Sequence, residues 1–189
     1  MLVMASPPAI SSGAIYHIFN RGNNREDIFV EERNYPYFLE RYTQTLLPIA
    51  ETYAFCLLRN HFHLLVRVRE HKDIVAALRR KKPGQVFGDF FNGYAKAINS
   101  AYQRTGSLFQ NPFGRVEVKS DAQFIRLITY IHRNPQKHGF VKDFRDWPHS
   151  SYPILCQTSP TWLAREVVLA LFGDLENFKR SHEDLVGDL

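Results

Sequence analysis

Residues 52–68 read TYAFCLLRNHFHLLVRV, two β-like runs with Arg59-Asn60 between them. A two-residue connection joins antiparallel strands and leaves no room for a crossover, so the centre of this chain is committed to a β-hairpin. Alternation along the second strand then sorts its side chains. His61, His63, Leu65, Arg67 and Arg69 share one face, and Phe62, Leu64, Val66 and Val68 share the other. The second set is wholly apolar and requires a helix layer over it. The first is mostly polar and basic, so one face of the sheet is expected in the core and the other free to work.

The rest of the chain supplies the layers. Residues 1–12 read as a loose leader, with Pro7 and Pro8 opposing regular structure. A short strand fits Ala14 to Asn20, and the Gly/Asn-rich run Arg21 to Asp27 is a turn. Tyr35, Phe38, Leu39, Tyr42 and Leu46 recur at helical spacing within a helix from about Glu31 to Ala50, with Pro36 in its first turn. After the hairpin, Ile74, Val75 and Leu78 suggest a short helix that ends in the basic run Arg79 to Gly84. A longer helix fits Gln85 to Arg104, closed by Gly106, and a strand falls late in the run Ser107 to Val118. Ser120 or Asp121 caps a helix expected to stop near Asn134, because Pro135 opposes continuation. The order β-α-β-β-α-β followed by a helix predicts an α+β, ferredoxin-like antiparallel sheet with helices packed on one face. Residues 141–160 look irregular, with DWPHSSYP as a wrapping loop. Helices over 161–172 and 175–185 form a small C-terminal extension beginning at residue 153.

Composition narrows the class. Of 189 residues 44% are hydrophobic and 23% charged, enough for one domain with a proper core, which argues against disorder. Lys plus Arg total 24 against 19 Asp plus Glu, a formal charge of +5 that permits a nucleic-acid partner without establishing one. Cys56 and Cys156 stand a hundred residues apart with no CxxC pair, which argues against a zinc ribbon or a disulfide framework. The first residues lack a basic n-region, and no apolar run is long enough to cross a bilayer. A soluble protein of the reducing cytoplasm is expected.

The chemistry-bearing residues lie on two elements. His61 and His63, at i and i+2 on one strand face, stand about 6.5–7 Å apart, and their imidazoles can converge on one ion. They can equally be hydrogen-bonded residues of an ordinary sheet, and two ligands alone make a weak site. In QFIRLITYIHRNPQKHG, residues 123–139, Phe124, Leu127, Ile128 and Ile131 form the core stripe. Tyr130 lies about 110° from the centre of that stripe, and Asn134 follows one turn later on the same flank. Tyr130 reads as a packing residue with a wet hydroxyl or as a nucleophile, and Asn134 as a helix-ending residue or a functional amide. Arg21, Asn23 and Arg25 in the NRGNNR loop, Arg67 on the histidine face, and Arg115 and Lys119 by the last strand are candidates for a DNA backbone. Arg79, Arg80, Lys81 and Lys82 are the densest basic run. Phe87, Phe90, Phe91 and Tyr94 have the spacing of a core stripe rather than of a stacking platform.

With HFH at 61–63 and YIHRNP at 130–135, the sequence resembles the single-tyrosine HUH transposases, and among them the REP-associated tyrosine transposases. YHIFNRGNNRE, GSLFQNPFGR and KHGFVKDFRDWPHSSY follow in the order of that family, so the resemblance spans most of residues 13–152, the expected transposase domain. It implies a tyrosine hydroxyl that attacks single-stranded DNA, forms a 5′-phosphotyrosine link and frees a 3′-hydroxyl, with rejoining by the reverse attack. By position it implies Tyr130 as nucleophile and His61, His63 and Asn134 as ligands of a divalent ion, Mg²⁺ or Mn²⁺. Imidazoles suit Mn²⁺ better. The implied partner is single-stranded DNA bearing a hairpin, bound by a monomer or a homodimer. Two rival readings are a domesticated hairpin-binding module without cleavage, and a metal-dependent nuclease in which water attacks.

Overall fold

The computed structural model describes residues 8–74 and 78–183. Its centre is a four-stranded sheet of β1 (Ile15–Arg21), β2 (Ala50–Leu58), β3 (His61–Val68) and β4 (Gly114–Val118), in the order β2-β3-β1-β4. All three pairings are antiparallel. The hairpin β2-β3 turns on Arg59-Asn60, and β1 inserts between β3 and β4, the ferredoxin-like order expected from the element sequence.

Helices α1 (Asn34–Thr45) and α2 (Pro83–Ala101) cover one face. Phe62 of β3 meets Phe38 of α1 and Phe91 of α2, with ring centroids 5.4 and 5.2 Å apart. Phe87, Phe90, Phe91 and Tyr94 are all buried there, as core. Helix α1 is shorter than its hydrophobic pattern implied. The Asn34 side chain accepts from the main-chain N–H groups of Val30 and Glu31, which fixes the turn before the helix. At the other end Leu46 and Ile49 are buried in the turn into β2, so their apolarity serves that turn and not a longer helical stripe.

The opposite face departs from the expectation of an open surface. Helix α3 (Asp121–Lys137) lies across its β2 side, where Phe124 packs on Tyr53 at 4.9 Å, and His61, His63 and Leu65 are all buried. An amphipathic helix with Phe124, Ile128 and Ile131 on one side needs an apolar bed, and Cys56 and Leu65 supply it. Helix α3 is capped by the Ser120 hydroxyl, which accepts from the Gln123 N–H. It runs through Pro135 to Lys137 instead of stopping at Asn134. The missing Pro N–H removes one bond near the helix end, and the His138 N–H to Asn134 carbonyl bond completes the last turn.

The segment after α3 wraps the edge of β2. The Trp147 indole donates to the Leu57 carbonyl, and Leu57 N–H donates to the His149 carbonyl. Short helix α4 (Tyr152–Leu155) leads to α5 (Arg165–Phe172) and α6 (Leu175–Glu183), which rest on β2 and α3. Helix α5 starts at Arg165, later than the predicted 161, because Thr161 and Leu163 form a turn tied by the Ala164 N–H to the Thr52 carbonyl. The expected leader lies outside the described residues over 1–7, the short helix near Ile74 over 75–77, and the end of the last helix beyond 183. Among the described residues no helix is long and apolar enough to cross a membrane.

Candidate functional site

On the histidine face α3 covers β2 and part of β3 and leaves a cleft over β1 and the start of β4. Its volume is about 460 Å³, and its walls include Arg21, His61, His63, Tyr130, Lys137 and His138. Strand alternation puts His61 and His63 on this one side, and register places Phe19 beside His63 and Arg21 beside His61.

The proton inventory of His61 is determined by its neighbour. Its Nδ1 lies 2.7 Å from Asn60 Oδ1, and a carboxamide oxygen only accepts, so Nδ1 carries the hydrogen. The Asn60 amide nitrogen donates to the Arg25 carbonyl, which agrees with that amide orientation. Nε2 of His61 is therefore a lone pair, and it is buried without a protein partner. Asn134, fully buried, is in the same condition. Its Nδ2 donates to the Tyr130 carbonyl at 2.8 Å, and its Oδ1 is buried without a partner. Asn134 is also close enough to His61 to act on its protonation. Two neighbouring buried acceptors facing no donor call for an electron-poor partner, and a divalent cation satisfies both.

Burial keeps the imidazoles neutral. His61 is lowered to about 4, first by desolvation and then by the charges of His138 and Arg21, with the Asn134 carboxamide acting in the opposite sense. His63 is pushed well below the ordinary histidine range, again chiefly by desolvation. Neutral rings can ligate an ion without first losing a proton. Among the described residues no group of three His, Cys, Asp or Glu side chains is arranged to hold a metal. The carboxamide oxygen of Asn134, buried without a protein partner, is the candidate third ligand.

Tyr130 reaches the same cleft from one turn before Asn134. It is half-buried, edge-on to the His63 ring at 5.5 Å, and the Lys137 ammonium lies 5.3 Å from its ring centroid. Tyr130 thus lines the cleft while part of it packs against the core.

The remaining candidates scatter. Arg21 lines the cleft. Asn23 and Arg25 lie in the 3₁₀ turn just beyond β1 and do not, and the Asn23 main chain bonds Leu108. Arg67 shares the histidine face, but it points out at the far end of β3 and donates to the Gly13 carbonyl. Arg115 pairs with Ile18, so it projects from the opposite face of the sheet, stacked 4.9 Å from the Phe113 ring centroid. Lys119 is exposed past the end of β4, 3.8 Å from Glu117. Of the basic run, Arg79 donates to the carbonyls of Ile74 and Lys72, and Lys81 pairs with Asp89. Lys137 and His138 line the cleft without having been singled out, since they lie past the expected end of the helix. So does Gln110. His17 also went unremarked, although its buried Nε2 lies 2.9 Å from His63 Nδ1. Alternation along β1 puts His17 on one side with Phe19 and Arg21, but the side becomes meaningful only once the β1-β3 register is known.

No protein-family model matches the chain. A Haemophilus influenzae protein, provisionally named a REP-associated tyrosine transposase, is 32% identical over 104 residues. That alignment covers 54% of this chain and 58% of the relative, so the chain spans less than two thirds of the relative's length. A solved structure of a REP-associated tyrosine transposase bound to a REP hairpin aligns with a TM-score of 0.60 at 18% identity, over 81% of this chain and 84% of that one. The fold is shared. In fold this is an α+β protein built like that solved transposase. More narrowly, over those 104 residues its sequence is similar to that of a REP-associated tyrosine transposase.

Proposed function

We propose that this protein is an endonuclease and strand transferase for single-stranded DNA, acting beside hairpins through a covalent link to Tyr130. The relationship supports a transposase-like role on hairpin DNA. The observation that carries the chemistry is the pair of buried, unpartnered acceptors, His61 Nε2 and Asn134 Oδ1, in a cleft that also holds the Tyr130 ring.

Tyr130 attacks a backbone phosphorus. The Oη–P bond forms as the bond from phosphorus to the 3′-oxygen breaks. The phenolic proton is released, and the departing 3′-oxygen takes one up. One phosphodiester is exchanged for another, so the reverse attack by a 3′-hydroxyl rejoins strands with no external energy source. Arg21 and Lys137 both line the cleft and supply positive charge for the anionic backbone. Asn134 holds the Tyr130 carbonyl and so couples the position of the nucleophile to the metal ligands. His61, His63 and Asn134 would hold the divalent ion, which would polarise the phosphate and stabilise charge on the leaving 3′-oxygen.

The test uses labelled hairpin-bearing single-stranded DNA with Mn²⁺, followed by denaturing electrophoresis. Wild-type protein is expected to leave a denaturation-resistant adduct that Tyr130→Phe and His61→Ala do not form. Cleaved product without adduct, retained in Tyr130→Phe, would make the protein a hydrolytic nuclease. Binding without product would make it a hairpin-binding module.

A further inference from the structure

We propose that His17 is a positioning residue for His63, accepting the Nδ1 hydrogen of that ring and holding it in the tautomer whose Nε2 is a lone pair. The inference rests on the metal-ligand reading of His63.

Nε2 of His17 and Nδ1 of His63 are 2.9 Å apart and both side chains are buried, so one nitrogen must donate and the other accept. The contact is built by the sheet. His17 and Phe19 alternate onto the histidine face of β1, Phe19 pairs with His63, and His17 pairs with Leu65, one step along β3 on the same side. The two rings stack with centroids 5.1 Å apart. His17 does not line the cleft, whereas His63 does, so His17 stands behind the ring that faces the substrate.

The direction of the bond decides what His63 offers. If His63 donates, its Nε2 is a lone pair. If His17 donates, a neutral His63 carries its hydrogen on Nε2 and presents a donor instead. The first case gives His63 the state that Asn60 imposes on His61. Each imidazole then has its Nδ1 hydrogen taken by a residue outside the ligand set, one from the hairpin turn and one from the neighbouring strand. Partners of this kind fix ring orientation and raise ligand basicity, and their removal typically weakens metal binding about 10–100-fold.

Two measurements test this on the full chain. Long-range ¹H–¹⁵N correlation of the imidazoles at neutral pH, without metal or DNA, is expected to show His63 as the Nδ1–H tautomer. An Nε2–H tautomer overturns the proposal. Mn²⁺ affinity is then read by electron paramagnetic resonance for wild type, His17→Phe and His17→Gln. His17→Phe keeps an aromatic ring but no acceptor and is expected to bind about 10–100-fold more weakly. His17→Gln, whose Oε1 can accept from His63, is expected to recover most of that loss. Affinity in His17→Phe equal to wild type overturns the proposal. If wild type itself binds no Mn²⁺, the ligand reading fails, and the tautomer measurement alone decides the role of His17.

Discussion

The side-chain nitrogen of Asn134 donates to the carbonyl of Tyr130, 2.8 Å away and one turn back along α3. One carboxamide therefore does two jobs. Its N–H end ties it to the residue that carries the phenol, and its oxygen, with no protein partner, is the atom that would meet the proposed ion beside His61.

Replacing Asn134 by Leu keeps approximate volume and removes both ends of that amide. A net buried hydrogen bond is worth about 1 kcal/mol, so the variant is expected to stay folded with a modest drop in denaturation midpoint. Adduct formation should fall by about 100-fold or more, because a transition-state electrostatic contact of this kind is worth that much. Adduct yield equal to wild type in a folded Asn134→Leu protein would remove Asn134 from the site.

Two glycines should respond to the same substitution with opposite signs. A Cβ on Gly114 would stand 2.3 Å from the Phe19 ring, which also lines the cleft, whereas a Cβ on Gly88 would meet nothing within 4 Å. Gly114→Ala must push Phe19 aside, and overpacking of that kind costs about 1–3 kcal/mol. Weaker single-stranded DNA binding should accompany it. Gly88→Ala sits on α2 in open space and should gain about 0.4–1 kcal/mol by restricting the unfolded chain. Urea unfolding of both variants reads the contrast, and equal shifts would show that Phe19 has room to yield.

The C-terminal helix carries a pH prediction. His182 Nδ1 lies 2.7 Å from the Phe178 carbonyl, which only accepts, so Nδ1 carries the hydrogen. His182 Nε2 must then accept from His132 Nδ1 at 2.8 Å, and His132 Nε2 from the Ser151 hydroxyl at 2.7 Å. The chain of bonds is complete with both rings neutral. Burial lowers His182 from 6.5 to about 4. Above the unfolded value both states are unprotonated and nothing is lost. As pH falls from 6.5 toward 4 the unfolded chain takes up a proton that the folded one refuses, so stability declines and then levels. The contribution to the slope approaches about 1.4 kcal/mol per pH unit. His182→Gln should be less stable at neutral pH yet show a shallower decline between pH 6.5 and 4 by urea midpoints. An unchanged slope would show that His182 is protonated in the folded state.

These relationships differ in how far they were legible in advance. The two-residue turn at Arg59-Asn60 and the period-two pattern after it are local, and they set the hairpin and put His61 and His63 on one side. The placing of Tyr130 and Asn134 on one flank needs only the 100° step of a helix. The contact of His17 with His63 spans 46 residues and depends on register between β1 and β3, which no local pattern encodes. Arg115 shows the same limit. A one-residue change of register turns a strand side chain to the other face, and where β4 begins after Pro112 decides which face Arg115 takes. That α3 would roof half of the histidine face was likewise hidden, because its apolar stripe says that it needs a bed and not which one.

That difference of face separates two cations that look alike in the sequence. Lys137 borders the cleft beside Tyr130, whereas Arg115 projects from the other side of the sheet. A cation that meets a phosphate of a single strand releases a counterion, and log K then falls with log salt by about 0.7 for each such contact. Lys137→Ala should therefore weaken binding of hairpin-bearing single-stranded DNA and make the salt slope shallower by about 0.7. Arg115→Ala should leave the slope as it is in wild type, with local losses that include its packing against Phe113 and its hydrogen bond to the Pro8 carbonyl. Fluorescence anisotropy at a series of salt concentrations measures both. A shallower slope in Arg115→Ala with none in Lys137→Ala would put the DNA on the opposite face and take the cleft out of the binding path.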